Sequence, residues 1–239
     1  MFRSTLIFLS VIFILLSIDI QGQVISDSLQ QPQPKIGLVL SGGGAKGFAH
    51  IGVLKVFEEY GIKPDYISGT SMGSLVAALY SLGYSADELE VIVSNADWNE
   101  LLTDNITLRD IPIFDKEDYP GYPLKLTFDK DGKLTLPSGM IKGQKIQSLF
   151  AKLTWSSNRY PDFDSYPIPY RCVATDIISG QAYVFEKGNL AEAMRASMSI
   201  PTVFTPVEKD TLLLVDGGVV RNFPVQECID MGADIIIGV

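Results

Sequence analysis

The chain opens its folded part with two short apolar runs, each followed at once by a glycine-bearing turn and then by helical spacing. Ile36-Gly37-Leu38-Val39-Leu40 has the length and character of a buried strand. Ser41 to Gly47 is a glycine-rich turn. Ala49 to Tyr60 carries Val53, Leu54 and Phe57 at helical spacing, and Gly61 is placed to end that helix. Tyr66-Ile67-Ser68 is a second short strand, and Gly73 to Leu82 is a compact apolar helix closed by Gly83. Ser85-Ala86-Asp87-Glu88 is a capping box that opens a further helix. Strands joined through helices run parallel, because a parallel pair needs a long crossover where an antiparallel pair needs only a tight turn. The spacing therefore predicts an α/β domain with a mainly parallel sheet.

Beyond residue 100 the pattern loosens. Leu124 to Phe128 and Lys133 to Leu136 alternate about the turn Asp129-Lys130-Asp131-Gly132, which predicts a hairpin. A helix is expected over Gln144 to Trp155, and strands over Arg171 to Asp176 and Ala182 to Glu186, joined through Ser179-Gly180. A small-residue helix follows at Leu190 to Met198, then a strand at Leu212 to Val215 that runs into Asp216-Gly217-Gly218. Val225 to Met231 reads as a helix and Ile235 to Val239 as an apolar strand. A chain rarely ends inside a central strand, so residues 35–239 are expected to be a domain truncated at its C-terminal end, or the first domain of a longer protein.

The N-terminus differs in kind. One positive charge at Arg3, an apolar run from Leu6 to Leu16 and a polar end at Gly22 read as a secretory signal peptide over residues 1–22. The run is short for a spanning helix, which needs about 20 residues. Residues 23–34 are polar, hold two prolines and read as a linker, so the folded domain is expected over 35–239. Export to the periplasm, the outer membrane or the medium follows from this reading. A net charge of −9 argues against nucleic acid as a partner. One histidine and two distant cysteines, Cys172 and Cys228, leave nothing for a zinc site of the usual kind, and the cysteines read as buried small residues. No cofactor is expected.

Three stretches carry chemistry. Gly69-Thr70-Ser71-Met72-Gly73 matches the GxSxG nucleophile elbow, with a strand before it and a helix after it. A strand-to-helix turn this sharp strains the backbone at the serine, needs small neighbours at Gly69 and Gly73, and aims the free N–H groups of a helix start at developing negative charge. The plain alternative is a glycine-flanked N-cap serine. The turn Gly42-Gly43-Gly44-Ala45-Lys46-Gly47 lets backbone N–H groups face a cavity, as an oxyanion hole requires. It also satisfies GxGxxG, and a nucleotide- or phosphate-binding module is its rival reading. That reading wants an acidic residue at the end of the second strand. The strand ends in Gly69-Thr70-Ser71, and Asp65 sits at the wrong end. Asp216, with Gly217 and Gly218, supplies a carboxylate at a strand end, a position a turn aspartate also takes. The lone His50 precedes the serine and lies in the first helix, out of order for an α/β-hydrolase triad. If Ser71 is the nucleophile, a carboxylate is the best candidate for its base, and Asp216 is the natural one.

The glycine loop, the elbow and Asp-Gly-Gly, in this order, resemble the patatin-like phospholipases. Ala196-Ser197-Met198-Ser199-Ile200-Pro201 and Cys172-Val173-Ala174-Thr175-Asp176 with Ser179-Gly180 are similar to further segments of that family. The likeness runs from about Lys35 to Val239. It implies a three-layer α/β/α fold and a serine–aspartate dyad of Ser71 and Asp216. It implies oxyanion N–H groups at Gly43 and Gly44, with Gly42 shaping the turn and Lys46 where many relatives have arginine. It also implies hydrolysis of acyl esters of phospholipids, lysophospholipids or neutral lipids at a membrane surface without a metal. Lipid transacylation by the same residues is the alternative chemistry. Some bacterial relatives carry a membrane β-barrel after this domain, which is the expected C-terminal partner. Trp98, Leu101, Leu102 and Trp155 lie near segments expected at the mouth of the site, although core packing accounts for each as well.

Overall fold

The computed structural model describes residues 33–103, 127–128, 134–135 and 139–239. The expected signal peptide and nearly all of the linker lie outside the described residues, as does the turn of the hairpin. Contacts divide the chain into Met1–Pro34 and Lys35–Val239, and all the described helices and strands lie in the second unit. Its elements are β1 (Ile36–Leu40), α1 (Ala49–Glu59), β2 (Tyr66–Thr70), α2 (Met72–Ser81), α3 (Ala86–Asn95) and α4 (Trp98–Leu101). Then come β3 (Thr127–Phe128), β4 (Leu134–Thr135), β5 (Gly139–Ile141), α5 (Gln144–Leu153), β6 (Tyr170–Asp176) and β7 (Gln181–Phe185). The last are α6 (Leu190–Ser197), β8 (Thr202–Phe204), β9 (Val207–Lys209), β10 (Leu212–Asp216), α7 (Val225–Met231) and β11 (Ile235–Gly238). The hairpin strands β3 and β4 pair antiparallel.

The main sheet runs β11-β1-β2-β6-β10-β9, with β7 also on β6. β11, β1, β2 and β6 are mutually parallel, whereas β7 and β10 run against β6. The C-terminal strand β11 lies at the outer edge of the described sheet, not in its middle. The apolar face of the sheet, through Leu38, Leu40, Ile67 and Ala174, packs on helices α1, α2, α3 and α6 in one core. The opposite face carries α7, whose buried Cys228 approaches the Ser68 hydroxyl at 3.2 Å. Helices on both faces give the three-layer α/β/α arrangement. Cys172 and Cys228 are free and buried, with thiols pushed up to about 11 by desolvation.

α2 is the helix everything else surrounds. Every residue from Gly73 to Ser81 is buried; the helix is mostly apolar, and its two serines, Ser74 and Ser81, turn their hydroxyls onto the Ser71 and Ala78 carbonyls. Leu75 and Leu79 each contribute about 1.5–3 kcal/mol by burial. The Ser85–Glu88 capping box forms as expected: Glu88 N–H donates to Ser85 Oγ at 3.3 Å, and Ser85 N–H to Glu88 Oε2 at 2.8 Å. The helix expected to Trp155 stops at Leu153 and passes into a 3-10 turn, Trp155–Arg159.

The register of β10 depends on Asp176, the last residue of β6. Its carboxylate accepts from Ser179 Oγ at 2.6 Å and from the N–H groups of Leu213, Ser179 and Ile178. The Ser179 hydroxyl above all, backed by those N–H groups and opposed by burial, holds the carboxyl down to about 2. The unfolded chain binds this proton near the ordinary value of about 3.9. The contribution is therefore present above that value and is lost as pH falls through it toward about 2. Asp176→Asn is expected to lower Tm at pH 7, and the gap to wild type should close as pH falls through that window. Thermal melts between pH 2 and 7 check this, and a gap that does not vary with pH contradicts it.

Candidate active site

β6 has β7 along one edge through Cys172–Asp176, so β2 and β10 must share the other edge. β2 arrives parallel and ends with Thr70 opposite Val173. β10 arrives antiparallel and ends with Asp216 opposite Ala174. The two strands thus meet head-on at consecutive residues of β6. Ser71, the next residue after β2, is driven against Asp216, and Ser71 Oγ donates to Asp216 Oδ2 at 2.6 Å. Asp216 stands at the end of a strand that runs antiparallel to β6. It reaches the serine because its strand is reversed.

The elbow is strained as its sequence implies. Ser71 has φ 53° and ψ −126°, a conformation that costs a non-glycine residue about 1–3 kcal/mol. The turn brings backbones so close that a Cβ on Gly69 would lie 2.6 Å from Ser74 Cα, and one on Gly73 would strike the Leu40 carbonyl oxygen. Neighbouring groups hold the strained residue from both sides. Ser71 N–H donates to Ser197 Oγ at 2.8 Å, and that hydroxyl donates on to the Val173 carbonyl at 2.5 Å. Ser197 so fills the break in the ladder where β2 stops and β10 has not begun. Ser74 Oγ donates to the Ser71 carbonyl at 2.7 Å.

Asp216 is buried. Its second oxygen accepts from Gly218 N–H at 2.7 Å, and Gly217 opens the 3-10 turn Gly217–Val219 that makes this possible. Its own N–H donates to the Ser199 carbonyl at 2.9 Å. Desolvation raises the carboxyl above its ordinary value, against the Ser71 and Gly218 hydrogen bonds. A raised carboxyl is a stronger base than an exposed aspartate.

In the glycine loop, Gly42 N–H is engaged with the Asn222 carbonyl at 3.1 Å. Lys46 N–H closes the turn on the Gly43 carbonyl at 3.2 Å, its side chain is exposed, and Gly47 is buried beside Met72. Among the described residues the N–H groups of Gly43, Gly44, Met72 and Gly73 make no hydrogen bond. Gly44 and Ser71 line the same cavity, of about 360 Å³, whose other walls include Phe48, Met72, Trp98, Leu102, Ile141, Met198, Val203 and Phe204. Trp98 and Leu102 are thus at the site. Leu101 packs against the core, and Trp155 is 76% exposed and lines no part of this cavity. His50 Nε2 lies 2.9 Å from the Ser41 carbonyl, which makes Nε2 the protonated nitrogen, and burial lowers its pKa. The ring serves the glycine loop, not the serine. Asp65 binds Ile36 N–H at the opposite end of β1 from that loop, so Asp65 is not placed to bind a ribose beside the glycines.

The family model for patatin-like phospholipases matches residues 38–229. This chain belongs to the patatin-like phospholipase family. An uncharacterized NTE family protein of Mycobacterium tuberculosis is 32% identical over 206 residues, covering 86% of this chain and 49% of its own. Patatin-like phospholipase domain-containing protein 7 of Rattus norvegicus is 31% identical over 207 residues, 85% of this chain and 13% of its own. The chain spans about half of the mycobacterial relative and a small part of the mammalian one. VipD from Legionella pneumophila shares the fold, with a TM-score of 0.55 and 15% identity over 87% of this chain and 50% of that one. Membership supports lipid ester hydrolysis in general terms.

Ser197, Ser199 and Asn222 were not singled out as site residues by sequence reasoning. The first two lie in the Ala196–Pro201 segment that resembles the family, which was the available signal. Because Asp216 is raised, its ionisation opposes folding above the ordinary carboxylate value, and removing the charge relieves that penalty. Asp216→Asn is expected to melt at or above the wild-type temperature at pH 7, with the difference gone below about pH 3.9. A clear fall in Tm at pH 7 contradicts this.

Proposed function

We propose that this domain is a serine lipid acyl hydrolase that works through a Ser71–Asp216 dyad. The observation that carries the proposal is the 2.6 Å hydrogen bond from Ser71 Oγ to a buried, raised carboxylate. In this reading Ser71 attacks the ester carbonyl while Asp216 takes its proton. The tetrahedral oxyanion is held by the unpaired N–H groups of Gly43 and Gly44. Asp216 then returns the proton to the departing alcohol, an acyl-serine remains, and water activated by the same carboxylate releases the fatty acid. A lost oxyanion donor costs about 100- to 1,000-fold in kcat, so the glycine loop supplies much of the rate that a weak base does not. The apolar cavity takes the acyl chain. The apolar N-terminal run supports action after export, at a membrane surface.

Ser71→Ala and Asp216→Asn are each expected to lower ester hydrolysis by at least about 1,000-fold without unfolding the protein. Undiminished turnover in folded Ser71→Ala sinks the proposal. The pH profile of kcat/KM should show one acid limb, since the base must be deprotonated. It should lie above the ordinary carboxylate value, with activity persisting below about 6.5, the ordinary histidine value. A limb at 6.5 that His50→Gln removes contradicts the dyad.

The cavity gives a separate test. Each buried methylene is worth about 0.8 kcal/mol, or about fourfold in kcat/KM. Val203→Trp should narrow the cavity, lowering kcat/KM for dodecanoate esters at least about tenfold and leaving acetate esters nearly unchanged. Equal loss on both esters means that the acyl chain lies elsewhere.

A further inference from the structure

Two consecutive peptide planes lead into the glycine loop, and both are clamped. In the first, the Ser41 carbonyl accepts from His50 Nε2 at 2.9 Å, and Gly42 N–H donates to the Asn222 backbone carbonyl at 3.1 Å. In the second, the Gly42 carbonyl accepts from Asn222 Nδ2 at 3.2 Å, and Gly43 N–H is left without a partner among the described residues. A trans peptide is planar, so its carbonyl and its N–H point in opposite directions. No peptide here is cis. Holding the Gly42 carbonyl therefore fixes the direction of the Gly43 N–H.

Asn222 is built into this place. A Cβ on Gly42 would lie 2.5 Å from Asn222 Oδ1, and one on Gly218 would lie 2.9 Å from the same atom. The asparagine so sits between the glycine loop and the turn that donates to Asp216. Its segment is fastened from beneath. Thr70 Oγ1 donates to the Arg221 carbonyl at 2.9 Å, Ser68 Oγ donates to the Pro224 carbonyl at 2.6 Å, and Arg221 pairs with buried Glu227. Thr70 and Ser68 belong to β2, the strand that delivers Ser71. One strand thus fixes both the nucleophile and the clamp on the loop beside it.

We infer that Asn222 is a positioning residue that orients the Gly43 N–H as an oxyanion donor by holding the Gly42 carbonyl. The inference rests on the hydrolase reading above. It adds a residue that hydrogen-bonds neither the serine nor the carboxylate, and it assigns the side-chain amide a task separable from folding. Asn222→Leu keeps the bulk and the backbone acceptor but removes the donor without adding a charge, and Asn222→Ala removes the side chain.

The experiment compares wild type, Asn222→Ala, Asn222→Leu and Ser71→Ala on p-nitrophenyl butyrate, with thermal melts as a fold control. A butyl trifluoromethyl ketone serves as inhibitor, because its hemiketal oxygen occupies the oxyanion position. Both Asn222 variants are expected to lose about 10- to 100-fold in kcat, with KM within about twofold, part of the full effect of a deleted donor. Inhibition by the ketone should weaken by a factor similar to the loss in kcat, as a transition-state interaction requires. Wild-type kcat in folded Asn222→Leu overturns the inference, and so does a loss expressed in KM alone with inhibition unchanged. Turnover that survives Ser71→Ala overturns the hydrolase reading itself. Should Asn222→Ala fail to fold, the similarly sized and uncharged Asn222→Leu decides.

Discussion

The site depends on a break in one edge of one strand. β6 is long enough to pair with two partners end to end, and it takes β2 from one direction and β10 from the other. Backbone hydrogen bonds, not side-chain attraction, set where those strands stop. The Ser71–Asp216 contact follows from the register, because Thr70 and Asp216 oppose neighbouring residues, Val173 and Ala174. The proposed dyad, held this way, needs no third member to orient it. Carboxylate and hydroxyl are each fixed by the chain that carries them, which is the preorganisation an electrostatic catalyst requires.

Such a break is unfavourable by itself. It leaves a serine at positive φ, a carbonyl without a ladder partner and a carboxylate short of water. Local groups offset each of these. Ser197 satisfies the Val173 carbonyl and the Ser71 N–H together, the fully enclosed helix α2 anchors the strained residue, and Gly218 N–H partly stabilises the Asp216 charge. The carboxyl remains raised in spite of that hydrogen bond, so desolvation outweighs it. In the proposed mechanism, the penalty that burial places on the charge is what makes the group a usable base.

The strand–helix–strand–elbow opening was legible because each signal is local: a glycine turn, helical spacing, a capping box. The elbow strain at Ser71 was legible for the same reason. The reversal of β10 was not, because Leu212–Val215 is an apolar run that looks the same in either direction, and only its partner decides. β2 reads poorly as a strand beyond Ser68, since Ser68 and Thr70 are polar. Their hydroxyls turn out to be buried and spent on carbonyls about 150 residues away. The Ser71–Ser197 and Gly42–Asn222 bonds are likewise long-range, and no local pattern announces them. The aromatic residues show the same limit: Trp98 and Trp155 are alike in sequence, yet one lines the cavity and the other faces solvent.

The central claim is that Asp216 activates Ser71. The most direct measurement is the rate of fluorophosphonate labelling of wild type, Ser71→Ala and Asp216→Asn, with the labelled peptide located by mass spectrometry. The account predicts rapid labelling of wild type at Ser71, none of Ser71→Ala, and a rate in Asp216→Asn reduced by orders of magnitude although the protein remains folded. Labelling of Asp216→Asn at the wild-type rate, or at a residue other than Ser71, would contradict it.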